Sequence, residues 1–179
     1  MKKVLYILGQ LDDADVDWLG SHGQRQKFPQ GHTLITAGVK SDFLYVVLDG
    51  SLAVVLTNGF RLALVGCGEI LGEISLVDSR PPSASVVVDE PCLVLAVNQK
   101  VLRDKMQVDT GFAARFYRAL AIFLANRMRS TMTTLGYGKA EQLPSARDED
   151  DADLLDDEVL DGVYNAGMRF ERMLKKLAQ

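Results

Sequence analysis

Between Ile70 and Val86 the chain reads Ile-Leu-Gly-Glu-Ile-Ser-Leu-Val-Asp-Ser-Arg-Pro-Pro-Ser-Ala-Ser-Val, joining apolar positions to groups suited to an anion. Gly72 lets backbone approach a ligand with no Cβ in the way. Glu73 to Leu76 can form one short helical turn whose unpaired N–H groups face a phosphate, and Ser83 and Ser85 add hydroxyl donors. Farther along, Arg127 and Thr131 lie one turn apart on a helical pattern and share a face. The chemistry on offer is recognition of a phosphate-bearing small molecule. His22 and His32 stand beside turn signals without a Cys or Ser partner pattern, and HExxH, GxSxG and P-loop motifs are missing, so no enzyme is expected. The acidic run Asp148 to Asp153 lacks the glycine and closing glutamate of a calcium loop, and no metal site is expected.

Those residues need a frame, and the texture from Gln24 to Val97 supplies one. Segments rich in β-branched or aromatic residues, His32 to Thr36, Phe43 to Leu48, Ser51 to Thr57, Phe60 to Val65, Ala84 to Val88 and Cys92 to Val97, alternate with turn signals. Asp49-Gly50 and Asn58-Gly59 are the sharpest hairpin signals, and Asp89-Glu90-Pro91 reads as another turn. The expected fold is mainly β with flanking α: an antiparallel jelly-roll barrel, a short N-terminal helix capped by Asp12 or Asp13, and a long C-terminal helix. Val101, Leu102, Lys105 and Met106 fit a helical turn before it. Phe112, Phe116, Leu120 and Phe123 then recur at helical spacing up to Thr131, and this aromatic stripe is expected to form a homodimer interface.

The run from Ile70 to Val86 resembles the phosphate-binding cassette of cyclic nucleotide-binding domains, with Gly72-Glu73-Ile74-Ser75-Leu76 at its front and Ser83-Ala84-Ser85-Val86 at its back. Gly31, Gly38, Gly50, Gly68 and Gly72 fall where that family keeps its glycines, and the resemblance covers Leu11 to Thr131. It implies a sensor domain like that of catabolite activator proteins, in a short bacterial form without the DNA-binding domain. The glutamate would meet the ribose 2′-hydroxyl, and Arg127 and Thr131 resemble an arginine and a threonine that touch the purine. In the family an arginine neutralises the cyclic phosphate, but here Pro82 stands at that position and cannot donate even a backbone hydrogen bond. Arg80, two residues earlier, is the nearest substitute. The resemblance thus implies ligand-binding residues Gly72, Glu73, Ile74, Ser75, Arg80, Ser83, Ala84, Ser85, Arg127 and Thr131. The ligand would be cyclic AMP or cyclic GMP, held weakly, and no other cofactor is expected. The alternative is a degenerate barrel that binds no nucleotide and serves as a dimeric scaffold or adaptor, in transport for example.

Length and charge agree with one domain plus an appendage. Residues 1–135 form the expected cyclic nucleotide-binding-like domain, 136–157 an acidic linker, and 158–179 an amphipathic helix with Val159, Val163, Phe170, Leu174 and Leu177 on one face. Of the formal charge of −4, the stretch Arg147 to Gln179 contributes 5 basic against 10 acidic residues, leaving 15 against 14 elsewhere. Such a tail is too acidic to be a DNA-binding domain, so no nucleic acid is expected as a partner and the output is expected to pass to an unknown protein. Only Cys67 and Cys92 occur, without CxxC spacing, which argues for a cytoplasmic protein. The apolar residues from Val4 to Leu8 are too few to export the chain or span a membrane.

Overall fold

The computed structural model describes residues 5–78, 80–134 and 166–175. Helices α1 (Leu5–Gln10) and α2 (Asp13–His22) precede strands β1 (Gly23–Phe28), β2 (Thr33–Ile35), β3 (Phe43–Leu56), β4 (Arg61–Val65) and β5 (Ile70–Leu71). Helix α3 (Glu73–Val77), strand β6 (Ala84–Asn98) and helices α4 (Gln99–Val108) and α5 (Thr110–Thr134) complete the domain. A last helix, α6, covers 166–175. The expected linker 136–157, with Val159, Val163 and Leu177 of the terminal helix, lies outside the described residues.

Strands β3 and β6 pair antiparallel along their whole length, from Phe43 opposite Asn98 to Leu56 opposite Ala84. The register breaks between Val47 and Leu52 divide this ribbon into two halves. One half is ordered β1-β6-β3-β5, the other β2-β6-β3-β4. Tyr45, Val47, Leu52, Val65, Leu71, Val88 and Val94 come from both halves and fill one core between them. The arrangement is jelly-roll-like, but β4 and β5 pair with neither β1 nor β2, so the expected barrel is not closed.

In the first half, alternate residues of β3 and β6 face a second core. Leu44, Val46, Leu95 and Val97 pack under α1, α2, α4 and α5, while Tyr45, Val47, Val94 and Ala96 face the other way. Burial on both faces explains why these segments read as unbroken apolar runs.

Two of the expected turns are bends within single strands. Asp49-Gly50 closes no hairpin: β3 passes through it, with Gly50 at φ 82°. A Cβ there would stand 2.4 Å from the Pro91 carbonyl oxygen, so the neighbouring β6 backbone excludes any side chain. Asp89-Glu90-Pro91 likewise bends β6 without ending it. Asn58-Gly59 does make the expected hairpin, closed by Leu56 N–H to the Phe60 carbonyl at 2.9 Å.

Asp12 caps α2 through reciprocal bonds with Asp15, whose N–H donates to Asp12 at 2.9 Å. Asp15 is buried beneath Arg115 of α5, which grips it with Nε at 2.6 Å and Nη2 at 2.8 Å. Burial tends to raise the Asp15 pKa, but the Arg115 and Asp12 contacts outweigh it and hold the carboxyl below its ordinary value.

The aromatic stripe of α5 points inward. Phe112, Phe116, Leu120 and Phe123 are all buried in the same chain, against Leu8, Leu11, Val16 and Leu19. The expected dimer interface therefore does not run through these four residues: periodicity identified the buried face, and α1, α2 and α6 cover it. The large apolar side chains that α5 exposes are Tyr117, Met128 and Met132.

Candidate functional site

Strand β5 delivers the chain to Gly72, which adopts φ 85° and ψ 4° and turns directly into α3. A Cβ on this glycine would lie 2.5 Å from the Phe43 carbonyl oxygen, so contact with β3 explains the residue type. The cassette is thus held against the end of the central strand.

Helix α3 faces Glu73, Ser75 and Leu76 inward and leaves Ile74 exposed. Glu73 is only 2% exposed, and its Oε1 accepts a hydrogen bond from Arg127 Nη1 at 2.5 Å. Arg127 Nη2 also donates to the Ile70 carbonyl at 3.3 Å, and its guanidinium lies 4.6 Å from the centre of the Phe123 ring. Burial pushes the Glu73 carboxyl above its ordinary pKa, and the Arg127 charge opposes that rise without cancelling it. The result is a desolvated carboxyl paired with a cation on α5, a group whose oxygen can accept from a ligand hydroxyl.

A second set of bonds fixes the cassette backbone. Buried Gln99, first residue of α4, donates from Nε2 to the Gly72 carbonyl at 3.0 Å and to the Phe43 carbonyl at 3.3 Å. Arg103, one turn later, donates from Nη2 to Gln99 Oε1 at 2.9 Å and to the Ser75 carbonyl at 3.3 Å. Sequence reasoning missed both residues, since a glutamine near a helix start carries no motif. The nearest signal is Asn98, which caps α4 by accepting from Lys100 N–H at 2.9 Å.

The remaining expected residues have other engagements. Ser75 is buried and donates from Oγ to the Arg80 carbonyl at 3.2 Å. The Arg80 side chain is 82% exposed and pairs with Asp78 at 3.0 Å. Ser85 Oγ accepts the Ala37 N–H at 3.0 Å, and the Pro82 carbonyl accepts the Gly38 N–H at 2.8 Å, so the back of the cassette is stitched to the β2–β3 connection. Ser83 is exposed, while Ala84 and Thr131 are half-buried. Of the ten residues, Glu73 and Arg127 are the two that the structure joins side chain to side chain.

A family model, the cyclic nucleotide-binding domain, matches residues 25–109. This part of the chain belongs to that family. The cAMP-activated global transcriptional regulator of Pasteurella multocida is 30% identical over 122 residues, 65% of this chain and 58% of that protein. The chain therefore spans about three fifths of that relative. A cyclic nucleotide-binding domain from Methylobacillus flagellatus superposes with a TM-score of 0.69 at 24% identity, covering 79% of this chain and 85% of that one, a likeness of fold. The N-terminal domain of a transcriptional regulator from Streptomyces coelicolor gives a TM-score of 0.58 at 29% identity, over 74% of this chain and 94% of that one. The stretch from Gly72 to Val86 lies inside the matched residues. Among the described residues no helix is long and apolar enough to cross a membrane.

Proposed function

We propose that this chain is a non-enzymatic, cytoplasmic regulatory module that binds a cyclic nucleotide or related small anion weakly and signals to a partner protein through α5. The observation that carries the reading is the Glu73–Arg127 ion pair, because it ties the cassette to the long helix through a side-chain contact for which a ligand can compete. A ligand hydroxyl competing for Glu73 would loosen Arg127 and change the hold on the C-terminal part of α5. The module works as a homodimer, and the surface that favours it is the exposed row Tyr117, Met128 and Met132 on α5.

A second reading, a scaffold that binds no nucleotide, is favoured by one specific observation. Pro82 stands at the family's arginine position, and Arg80 is turned out to Asp78. The missing charge-assisted bonds are worth about 1.5–3 kcal/mol each, a loss of roughly tenfold to a few hundredfold in affinity.

Calorimetric titration with cyclic AMP, cyclic GMP and cyclic dinucleotides tests the two readings. The sensor reading expects cyclic AMP to bind with a Kd of about tens of micromolar, tightened by Pro82→Arg and weakened by Glu73→Gln. Absence of binding by every nucleotide, with Pro82→Arg also inert, would leave the scaffold.

A further inference from the structure

Helix α6 is held against α1 and α2 by Arg169 and Arg172. Its two fully buried residues are Ala166 and Met173, and the Met173 Cγ lies 3.6 Å from where a Cβ on Gly20 would stand. Phe170 and Leu174 pack beside them against the helical core. Around this apolar strip the contacts are ionic. Arg169 donates from Nε to Asp13 at 2.7 Å and from Nη1 to the Leu8 carbonyl at 3.1 Å, near the C-terminal end of α1. Arg172 reaches Asp13 at 3.2 Å and Asp17 at 2.9 Å. The Arg169 hydrogen bond holds the Asp13 carboxyl below its ordinary pKa.

From this geometry we infer that the groove formed by α1 and α2 is a recognition surface for a short amphipathic helix bearing two arginines three residues apart, and that it exchanges its own α6 for the α6 of a second copy of this chain. Two observations support exchange. The rim is weakly held, since Asp13 and Arg172 side chains remain 59% and 54% exposed and such pairs add little. Finally, residues 135–165 join α6 to α5 with a reach of up to about 100 Å, which takes in the groove of a neighbouring copy, chemically identical to its own. The acidic row Asp13 and Asp17 selects the arginines, and Met173 packs over Gly20. This inference does not depend on whether the cassette binds a nucleotide.

The test uses the full chain and a fluorescent synthetic peptide with the sequence of residues 158–179. In the wild-type protein the attached α6 competes at an effective concentration of about millimolar, so the peptide should bind poorly. Arg169→Glu with Arg172→Glu in the full chain repels its own tail, and peptide affinity should rise by at least about fivefold. Adding Asp13→Arg and Asp17→Arg to that protein restores the match with its own tail, and should reverse the gain both for this peptide and for one carrying the two arginine-to-glutamate changes. Circular dichroism identifies any variant that fails to fold, and the milder Arg169→Ala with Arg172→Ala then takes its place. For whole copies, the Asp13→Arg, Asp17→Arg chain mixed with the Arg169→Glu, Arg172→Glu chain should form mixed pairs beyond the statistical share. Equal peptide binding by wild type and the tail variant, or no binding by either, would overturn the inference.

Discussion

Arg127→Ala strands the Glu73 carboxylate. In the native protein Arg127 is its counter-ion, and water is nearly excluded from it. Breaking such a buried pair from one side costs about 3–5 kcal/mol when the remaining charge has no escape. Glu73 has one, because it can take up a proton. From its ordinary pKa of 4.5, neutralising it at pH 7 costs about 3.4 kcal/mol, the product of 2.5 pH units and 1.36 kcal/mol, which sets the ceiling on this part of the loss. At pH 5 the same product is about 0.7 kcal/mol. The contact between Arg127 and the Phe123 ring adds about 0.5–1 kcal/mol at either pH.

The sign follows from the direction of the shift. A carboxyl whose folded pKa is raised binds its proton more tightly in the native state, so its contribution to stability is lost as pH rises from the unfolded value through the folded one. Removing Arg127 raises the folded pKa further and widens that window. The variant should therefore lose up to about 4 kcal/mol at pH 7 and up to about 1–2 kcal/mol at pH 5. For a chain of this size a loss of about 4 kcal/mol corresponds to a fall of about 8–16 °C in Tm. Urea denaturation at both pH values measures it, and Glu73→Gln with Arg127→Ala should abolish the extra pH dependence. A loss below about 1 kcal/mol at pH 7, or the same loss at both, would refute the claim that Glu73 is a buried ion held by Arg127.

Two further outcomes follow from packing. Gly50→Ala should destabilise the chain by more than about 2 kcal/mol in urea melts, combining a left-handed backbone with the clash against Pro91, whereas Gly59→Ala, at similar φ but in open space, should cost only about 1–2 kcal/mol. Tyr117→Glu with Met128→Glu should shift light scattering from dimer to monomer and leave the fold intact, while the single change Phe116→Glu should unfold the chain because it buries a charge in the core.

Much of the strand pattern was readable because burial and residue type agree along β3 and β6. What periodicity could not supply was the other side of each contact. At Asp49-Gly50 a positive φ suits a hairpin and a bulge equally, and the choice fell to Pro91 across the ribbon, forty residues away. Strand β1, Gly23–Phe28, is largely polar and pairs only with β6, so it shows none of the alternation that marks a strand with a buried face. The stripe of α5 was visible as apolar, yet its partner is α1, a helix whose sequence looks like a faint leader. At the cassette, motif and helical phase singled out Glu73 and Arg127 separately, but not their pairing with each other. Gln99 and Arg103 were not singled out, since their work is to hold backbone carbonyls that no sequence pattern names.

The continuous pairing of β3 with β6 also sets an order of events. Its first rung joins Phe43 to Asn98 and its last joins Leu56 to Ala84, so everything from the Asn58-Gly59 turn to Pro82 is an excursion from one long ribbon. The loop must close before the cassette has a wall to lean on, and closure across so many residues is slow relative to local helix formation. The cassette is therefore among the last parts of this chain to become native. A translating ribosome must release the segment beyond Asn98 before the site upstream of it can exist, and until then Glu73 remains a hydrated carboxylate on an unpaired loop.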